Sequence, residues 1–176
     1  MRSVLAVAGL ALCSSSVLAA DFGIGIAARS SDDGSLYFPI DIGESFRIEP
    51  GVRYVEREVL QGRDSTYDET KEIGLGAFGR KKVSEAARVY YGVRAWYAET
   101  ETSYRQSFRV VESMDGYELA PTLGFEYLFG KHFSVGGEVA YSFLQLEGEF
   151  RQVQIRRDME RDYQGTQTRV VARYMF

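Results

Sequence analysis

Charged side chains recur at every second position in several stretches of this sequence. Along residues 46–56, Arg47, Glu49 and Arg53 alternate with apolar residues, and a glycine shares their side of the pattern. Buried carboxylates and guanidinium groups persist in proteins when they are paired. An aligned set of such groups can either fill an enclosed space with ion pairs or line a path for ions, and both interpretations stay open at this point.

Catalytic chemistry has little support in the sequence. His132 is the only histidine, it falls in a short predicted turn, and no serine and acid accompany it as a triad requires. Cys13 is the only cysteine, so a chain cleaved after residue 20 has no thiol chemistry. No group of His, Cys or carboxylates has the spacing of metal ligands. We therefore expect no enzyme activity, no metal and no cofactor.

Residues 74–79 match the pattern G-x-G-x-x-G. A dinucleotide site would need a helix directly after this motif and a parallel sheet around it. Antiparallel strands are predicted on both sides instead. We interpret Gly74 and Gly76 as small residues on the inner face of a strand.

The elements that must position the charges are β-strands. The last eleven residues, 166–176, alternate an apolar set ending in Tyr174 and Phe176 with a set that carries Arg169 and Arg173. This period of two is typical of a strand, and the length suits a tilted strand crossing a bilayer. The other predicted strands cover residues 22–29, 36–43, 46–56, 72–79, 88–99, 117–129 and 133–146.

The connections between these eight strands alternate in length. The second, fourth and sixth are shorter (43–45, 80–87 and 130–132), whereas the others are long or charged, as in transmembrane barrels. The long ones cover residues 30–35, 57–71, 100–116 and 147–162. Pro39, Pro50 and Pro121 fall within predicted strands, where each removes a ladder donor. We expect bulges or strand ends near these prolines.

Aromatic residues cluster at both ends of the apolar stripes, as expected for girdles at two membrane interfaces. Glycines accompany the charged residues, as a narrow lumen filled by side chains requires. These features predict an all-β fold, a closed eight-stranded antiparallel up-and-down transmembrane β-barrel with its apolar face outward. The alternative, a soluble envelope barrel that binds a ligand, predicts a protein found in the periplasmic fraction.

The lumen of this barrel should hold a network of charges. The turn at 43–45 places Asp41 opposite Arg47. The turn at 130–132 places Glu126 and Glu138 on a diagonal that needs cations, with Arg94, Arg169 or Arg173 as candidates. The predicted lumen charges are Asp41, Arg47, Glu49, Arg53, Glu72, Arg94, Glu118, Glu126, Glu138, Arg169 and Arg173.

The first twenty residues have the composition of a secretory leader. Arg2 precedes an apolar run at residues 4–13, and small residues follow at the usual cleavage spacing. We expect a signal peptide over 1–20 and the barrel over 21–176. The net charge of −4 becomes −5 when Arg2 is lost with the leader, and this acidity argues against a nucleic-acid partner.

The mature chain resembles the small eight-stranded outer-membrane barrels of the OmpA/OmpX type. Residues 91–97 and 116–143 resemble the central hairpins of that family, and the ending through Tyr174 and Phe176 resembles its signal for the barrel-assembly machinery. The resemblance implies a location in the outer membrane and contact with lipids and lipopolysaccharide. Family members that deacylate lipid A carry a His and a Ser near the outer end of the last strand, whereas residues 164–168 contain neither.

The expected role is structural or surface-interacting, carried by a monomer through its long outer connections, where a surface partner would bind. The strands beside those connections could continue above the membrane and offer a sheet edge to that partner; the simpler expectation is solvated loops that touch lipopolysaccharide phosphates. A second hypothesis is a narrow channel or a lateral route for small apolar molecules. Trp96, Leu144 and Leu146 are its only hints of an apolar pocket.

Overall fold

The computed structural model describes residues 20–29, 34–61, 64–105, 109–152 and 155–176. Across these ranges no helix has the length and apolarity needed to cross a membrane. The predicted leader lies outside the described residues except for Ala20, which begins the first strand. The strands are β1 (Ala20–Arg29), β2 (Gly34–Tyr37), β3 (Ile40–Ile42), β4 (Phe46–Gln61), β5 (Asp64–Ser84), β6 (Ala87–Arg105), β7 (Arg109–Phe129), β8 (Phe133–Gln152) and β9 (Ile155–Met175).

These strands form one closed antiparallel sheet. From β3 to β9 each strand pairs with the next along the chain, and β1 pairs with β9 from Gly23↔Met175 to Arg29↔Arg169. Strands β2 and β3 keep one register against β4, so together they occupy one position in the ring. The eight-stranded up-and-down barrel predicted from the alternation is confirmed.

The predicted strand 36–43 is interrupted at Pro39, close to Pro50 on the neighbouring strand β4. The Phe38 amide donates to the Pro50 carbonyl at 2.8 Å, and the Gly23 amide donates to the Pro39 carbonyl at 2.9 Å. The register on both sides of the interruption is the same. Pro39 therefore lies between two strand ends, since β2 ends at Tyr37 and β3 begins at Ile40, which is one of the two expected solutions; no bulge occurs there.

Pro121 is accommodated in a similar way. The ladder between β7 and β8 stops after Leu119↔Phe143 and resumes at Thr122↔Ala140 with its register unchanged. On the other side Pro121 pairs with Val93 in an unbroken ladder. Pro121 thus has neither the expected bulge nor the expected strand end, so this expectation is wrong.

The strands are longer than the alternation predicts. Residues 57–71, 100–116 and 147–162, expected as polar connections, belong almost entirely to β4–β9. These segments carry polar residues on both faces, so they lack the apolar alternation of a membrane strand. Their hairpin ladders and their β-branched and aromatic residues still favour strands. Likewise β5 continues through the predicted basic connection to Ser84.

The outward face of the barrel carries an apolar band between two aromatic belts. At the end with the short turns Tyr127 packs on Phe129, with ring centroids 4.9 Å apart. At the other end Tyr97 packs on Tyr117 at 5.3 Å. Exposed Ile, Leu and Val side chains fill the space between the belts. We call the part of the sheet beyond the second belt the outer sheet; it comprises residues 55–61, 64–70, 99–105, 109–115, 145–152 and 155–165.

Candidate functional site: the charged interior and its outer cavity

The structure places all eleven predicted lumen charges in the barrel interior, each less than a tenth exposed. A twelfth, Arg80, joins them, and we call the twelve residues the lumen network. Arg80 was not predicted because it lies beyond the part of β5 that shows apolar alternation. It is an even number of residues from Glu72, so both side chains lie on the inner face of the strand. The lumen network has six carboxylates and six guanidinium groups, so it is balanced in charge. Its members are Asp41, Arg47, Glu49, Arg53, Glu72, Arg80, Arg94, Glu118, Glu126, Glu138, Arg169 and Arg173.

The layer nearest the short turns is built around Arg47. Asp41 lies directly opposite Arg47, as the turn predicted, and its Oδ1 accepts from Arg47 Nε at 2.6 Å. Arg47 Nη1 also donates to Glu126 Oε2 at 3.0 Å. Arg80 pairs with Asp41 and donates to the Gly43 carbonyl at 2.8 Å. These contacts link four strands (β3, β4, β5 and β7) and one turn across the lumen.

The middle layer contains two carboxylates that share two guanidinium groups. Arg94 Nη2 lies 2.8 Å from Glu49 Oε2 and 2.6 Å from Glu138 Oε1. Arg173 lies 2.8 Å from Glu49 through Nε and 3.1 Å from Glu138 through Nη2. The Tyr90 hydroxyl donates to Glu138 at 2.8 Å. The four charged groups belong to four different strands, so this layer spans the lumen.

The register around the predicted diagonal pair is confirmed. Glu126 lies opposite Gly136, and Glu138 lies opposite Gly124. Among the three candidate cations, Arg94 and Arg173 contact these glutamates. Arg169 Nη1 instead donates to the Tyr37 hydroxyl at 3.1 Å.

The outermost layer is more loosely paired. Arg53 pairs with Glu72, and a second Arg53 contact reaches Glu118 at 3.8 Å. Arg29 lies 3.9 Å from Glu118. Arg29 Nε and Nη2 and Arg53 Nη1 are buried and have no hydrogen-bond partner among the described residues.

Aromatic rings hold the guanidinium groups from the sides. The Arg94 guanidinium lies 4.5 Å from the Tyr37 ring centroid and 4.6 Å from that of Phe78. Trp96 packs edge-on against Tyr37 at 6.0 Å, and Arg53 lies 5.7 Å from its ring. A Cβ on Gly74 would collide with the Trp96 indole. The glycine motif at 74–79 therefore provides space for this ring inside an antiparallel strand.

A cavity of about 460 Å³ lies beyond the outermost layer, inside the outer sheet. Leu144 and Leu146 line it, as the hypothesis of an apolar pocket requires, but charged residues line it as well. Trp96 lies beneath it, packed on Tyr37. The cavity is thus polar and amphipathic, which differs from the apolar pocket expected. Its arginines are Arg29, Arg53, Arg57 and Arg161, and its carboxylates are Asp68 and Glu72.

The other candidates for chemistry lie far apart. His132 Nδ1 is 2.8 Å from the Met175 carbonyl, and its ring stacks on Tyr174 at the end with the short turns. Residues 164–168 lie on β9 toward the opposite end. Among the described residues no group of three His, Cys, Asp or Glu could hold a metal ion.

The outer sheet carries its own exposed ion pairs. Arg156 and Arg151 both contact Glu149 and lower the pKa of its carboxyl through hydrogen bonds and charge. Arg161 lies 3.0 Å from Glu112 across the interior of the outer sheet. The pairs on Glu149 are exposed and contribute little to stability, so they mark a solvated surface, whereas the pair of Arg161 and Glu112 faces the cavity.

No protein-family model and no curated protein matches the sequence. Solved structures do match it. A major outer membrane protein from Thermus thermophilus aligns with a TM-score of 0.66 and 12% identity, over 90% of this chain and 100% of that one. Neisserial surface protein A aligns with a TM-score of 0.53 and 12% identity, over 89% of this chain and 94% of that one. Ail, the attachment invasion locus protein of Yersinia pestis, aligns with a TM-score of 0.51 and 13% identity, over 89% of this chain and 97% of that one.

The chain has the fold of the small outer-membrane β-barrels. This confirms the fold implied by the resemblance to barrels of the OmpA/OmpX type. At identities of 12–13% the likeness concerns the fold alone. What this barrel does must be argued from its own side chains.

Proposed function

We propose that this protein is an integral outer-membrane barrel that binds a surface partner through the outer sheet and has no catalytic role. The outward apolar band between two aromatic belts supports the membrane location. A soluble barrel would instead bury its apolar face in the lumen, where this chain has the lumen network. The proposal includes export by a cleaved leader over 1–20, and contact with outer-membrane lipid and lipopolysaccharide.

The observation that carries the proposal is a pair of unpaired strand edges. Strand β1 ends at Arg29 and β2 begins at Gly34, whereas β4 and β9 continue far beyond that level. Strand β4 pairs with β2 only as far as Arg53. Strand β9 pairs with β1 only from Arg169 onward. Residues 54–61 of β4 and 155–168 of β9 therefore have no paired neighbour on that side among the described residues. We call these segments the free edges.

A free edge offers backbone donors and acceptors to an extended segment of another protein. On β4 the even-numbered residues face the edge, because the Pro50 carbonyl accepts from β2–β3 while the Ser45 carbonyl accepts from β5. The ladder between β4 and β5 keeps one register to its end. The amides of Glu56 and Glu58 thus point toward a partner.

Proline substitution tests this function. In Glu58→Pro the edge loses a donor while the ladder to β5 stays intact, and proline is tolerated at such edges. Cells displaying the wild-type chain should bind a panel of immobilised extracellular proteins or envelope proteins, and Glu58→Pro should reduce that binding at least tenfold. Glu58→Ala, which removes only the side chain, serves as the matched control and should bind as the wild type does.

The outcome is decisive only if the variant chains reach the surface in equal amounts, which surface labelling establishes. Equal binding by Glu58→Pro and Glu58→Ala would show that the β4 edge is not the contact. The corresponding pair on β9 is Gln164→Pro and Gln164→Ala. Fractionation of the envelope tests the location, since a soluble chain would appear in the periplasmic fraction.

A further inference from the structure

We propose that the cavity inside the outer sheet is a binding site for a phosphate- or sulfate-bearing molecule. Val55, Arg57 and Arg161 belong to the free edges and line this site through side chains that point toward the barrel interior, whereas a partner strand would pair with the backbone of those edges. Four arginines and two carboxylates line it, and Glu112 pairs with one of these arginines, Arg161, so the guanidinium groups outnumber the carboxylates by one. Among the carboxylates of the lumen network, Glu72 pairs with Arg53, and Glu118 lies 3.8 Å from Arg53 and 3.9 Å from Arg29, so these two arginines are only partly compensated.

Guanidinium groups at the cavity floor are left with unused donors. Arg53 has a side chain only 5% exposed, and its Nη1 has no hydrogen-bond partner among the described residues. The Arg29 side chain is 12% exposed, and its Nε and Nη2 also have no hydrogen-bond partner among the described residues. Buried donors without partners are costly. Two such groups in one cavity wall suit an oxyanion with several acceptor atoms.

The chemistry of the wall favours a tetrahedral oxyanion. The planar fork of arginine matches phosphate geometry and bonds it in a bidentate manner. Hydroxyl groups of Thr70, Thr100 and Thr102 line the cavity and supply further donors. Leu144 and Leu146 add an apolar wall for the organic part of the ligand. At about 460 Å³ the cavity has the size of a small-molecule site.

Two sources could deliver this anion. The free edges flank a side opening of the described sheet, directly above the outer aromatic belt, where lipid headgroups lie. A phosphorylated lipid could place its headgroup through that opening. A soluble phosphate ester could enter from the solvent end. Both present the same group to Arg29 and Arg53.

Trp96 provides a built-in reporter, because it is the only tryptophan and lies 5.7 Å from the Arg53 guanidinium. The refolded chain in maltoside micelles would be titrated with inorganic pyrophosphate at constant ionic strength while Trp96 emission is followed. We expect a saturable change that sodium chloride does not produce. Absence of such a change, together with absence of a lipid response, overturns the proposal.

Charge-neutral variants locate the site. Arg29→Gln and Arg161→Gln should each weaken pyrophosphate binding about tenfold or more, as expected for lost bonds to a charged group. Arg156→Gln is the matched control, because it removes the same charge from an exposed pair with Glu149 outside the cavity. Equal weakening by all three would reduce the effect to general surface charge and overturn the site.

A second arm identifies the source. Trp96 emission would be compared in phosphatidylcholine vesicles with and without phosphatidic acid. A lipid source predicts an emission change with phosphatidic acid alone, weaker apparent pyrophosphate binding, and loss of both effects in Arg29→Gln. A soluble source predicts no effect of the lipid. Glu58→Pro should leave either response unchanged, so this test and the test of the free edges fail or succeed separately.

Discussion

Glu49 shows how strongly single residues depend on each other in this interior. It lies 2.8 Å from both Arg94 and Arg173, and 3.6 Å from Arg47. Each of these cations contacts other carboxylates, so no pair in the middle layer is isolated. Removal of one charge therefore leaves its partners buried without compensation.

The variant Glu49→Gln keeps the shape of the side chain and removes its charge. Breaking a buried pair from one side costs about 3–5 kcal/mol, so we expect a fall of about 3 kcal/mol in the free energy of unfolding. Equilibrium urea unfolding in micelles, followed by Trp96 emission, measures it. Glu44→Gln, in an exposed turn, should change the free energy by less than about 0.5 kcal/mol. If Glu49→Gln lowers the free energy of unfolding by less than about 1 kcal/mol, the lumen network tolerates a lost charge.

Gly74, which lies opposite Trp96, gives a second prediction. Gly74→Ala forces a methyl group into the indole ring, whereas a Cβ on Gly137 meets only the Arg169 carbonyl at 3.8 Å. Overpacking costs about 1–3 kcal/mol, so Gly74→Ala should be destabilised by that amount and Gly137→Ala should be near neutral. The same unfolding measurement compares them. Equal effects would mean that the ring moves aside without cost.

At the scale of elements, the sequence predicts what turns and alternation determine. The tight turn at 43–45 fixes the register that pairs Asp41 with Arg47. Arg80 escapes prediction, and the bounds of the outer sheet do too, because a strand with polar residues on both faces shows no period; the continuation of the strands above the membrane is one of two expectations for these connections. The interruption at Pro39 depends on where Pro50 lies in the neighbouring strand, and this position is set by the pairing of the two strands in the folded barrel.

The last strand carries a prediction about assembly. Tyr174 and Phe176 face outward and pack edge-on with ring centroids 5.6 Å apart, and Phe176 is 74% exposed. An exposed ring contributes little to the folded barrel, so its role as an assembly signal remains a proposal. Phe176→Ser should sharply lower the amount of barrel in the outer membrane, measured by fractionation and heat-modifiability. Refolding into micelles should be unchanged, and a defect in both assays would point to stability instead.

At the scale of the whole molecule, the lumen network spans the barrel from the short turns to the outer cavity. Its charges are balanced and, apart from Arg169, which donates to the Tyr37 hydroxyl, they lie against opposite charges across the lumen, while aromatic rings occupy space between them. Ions would have to break several buried pairs in sequence to pass. The network is therefore better suited to close the lumen than to conduct.

Planar-bilayer recording tests this closure. The refolded wild type should give no discrete conductance, and neither should Arg94→Ala or Glu138→Ala, because the remaining layers still block the lumen. The control is a lipid bilayer with the same micelles but no protein. A stable conductance that changes with either substitution would make the lumen network an ion path.

The short β1–β2 hairpin also sets a stoichiometry. Two strand positions separate β4 from β9 near the membrane, so at about 4.8 Å per spacing the free edges stand about 14 Å apart there. One added strand can pair with a single edge and leaves the other open. A hairpin pairs with both edges and completes the outer wall. A partner that contributes a hairpin would therefore bind one per barrel, from a single direction in the plane of the membrane.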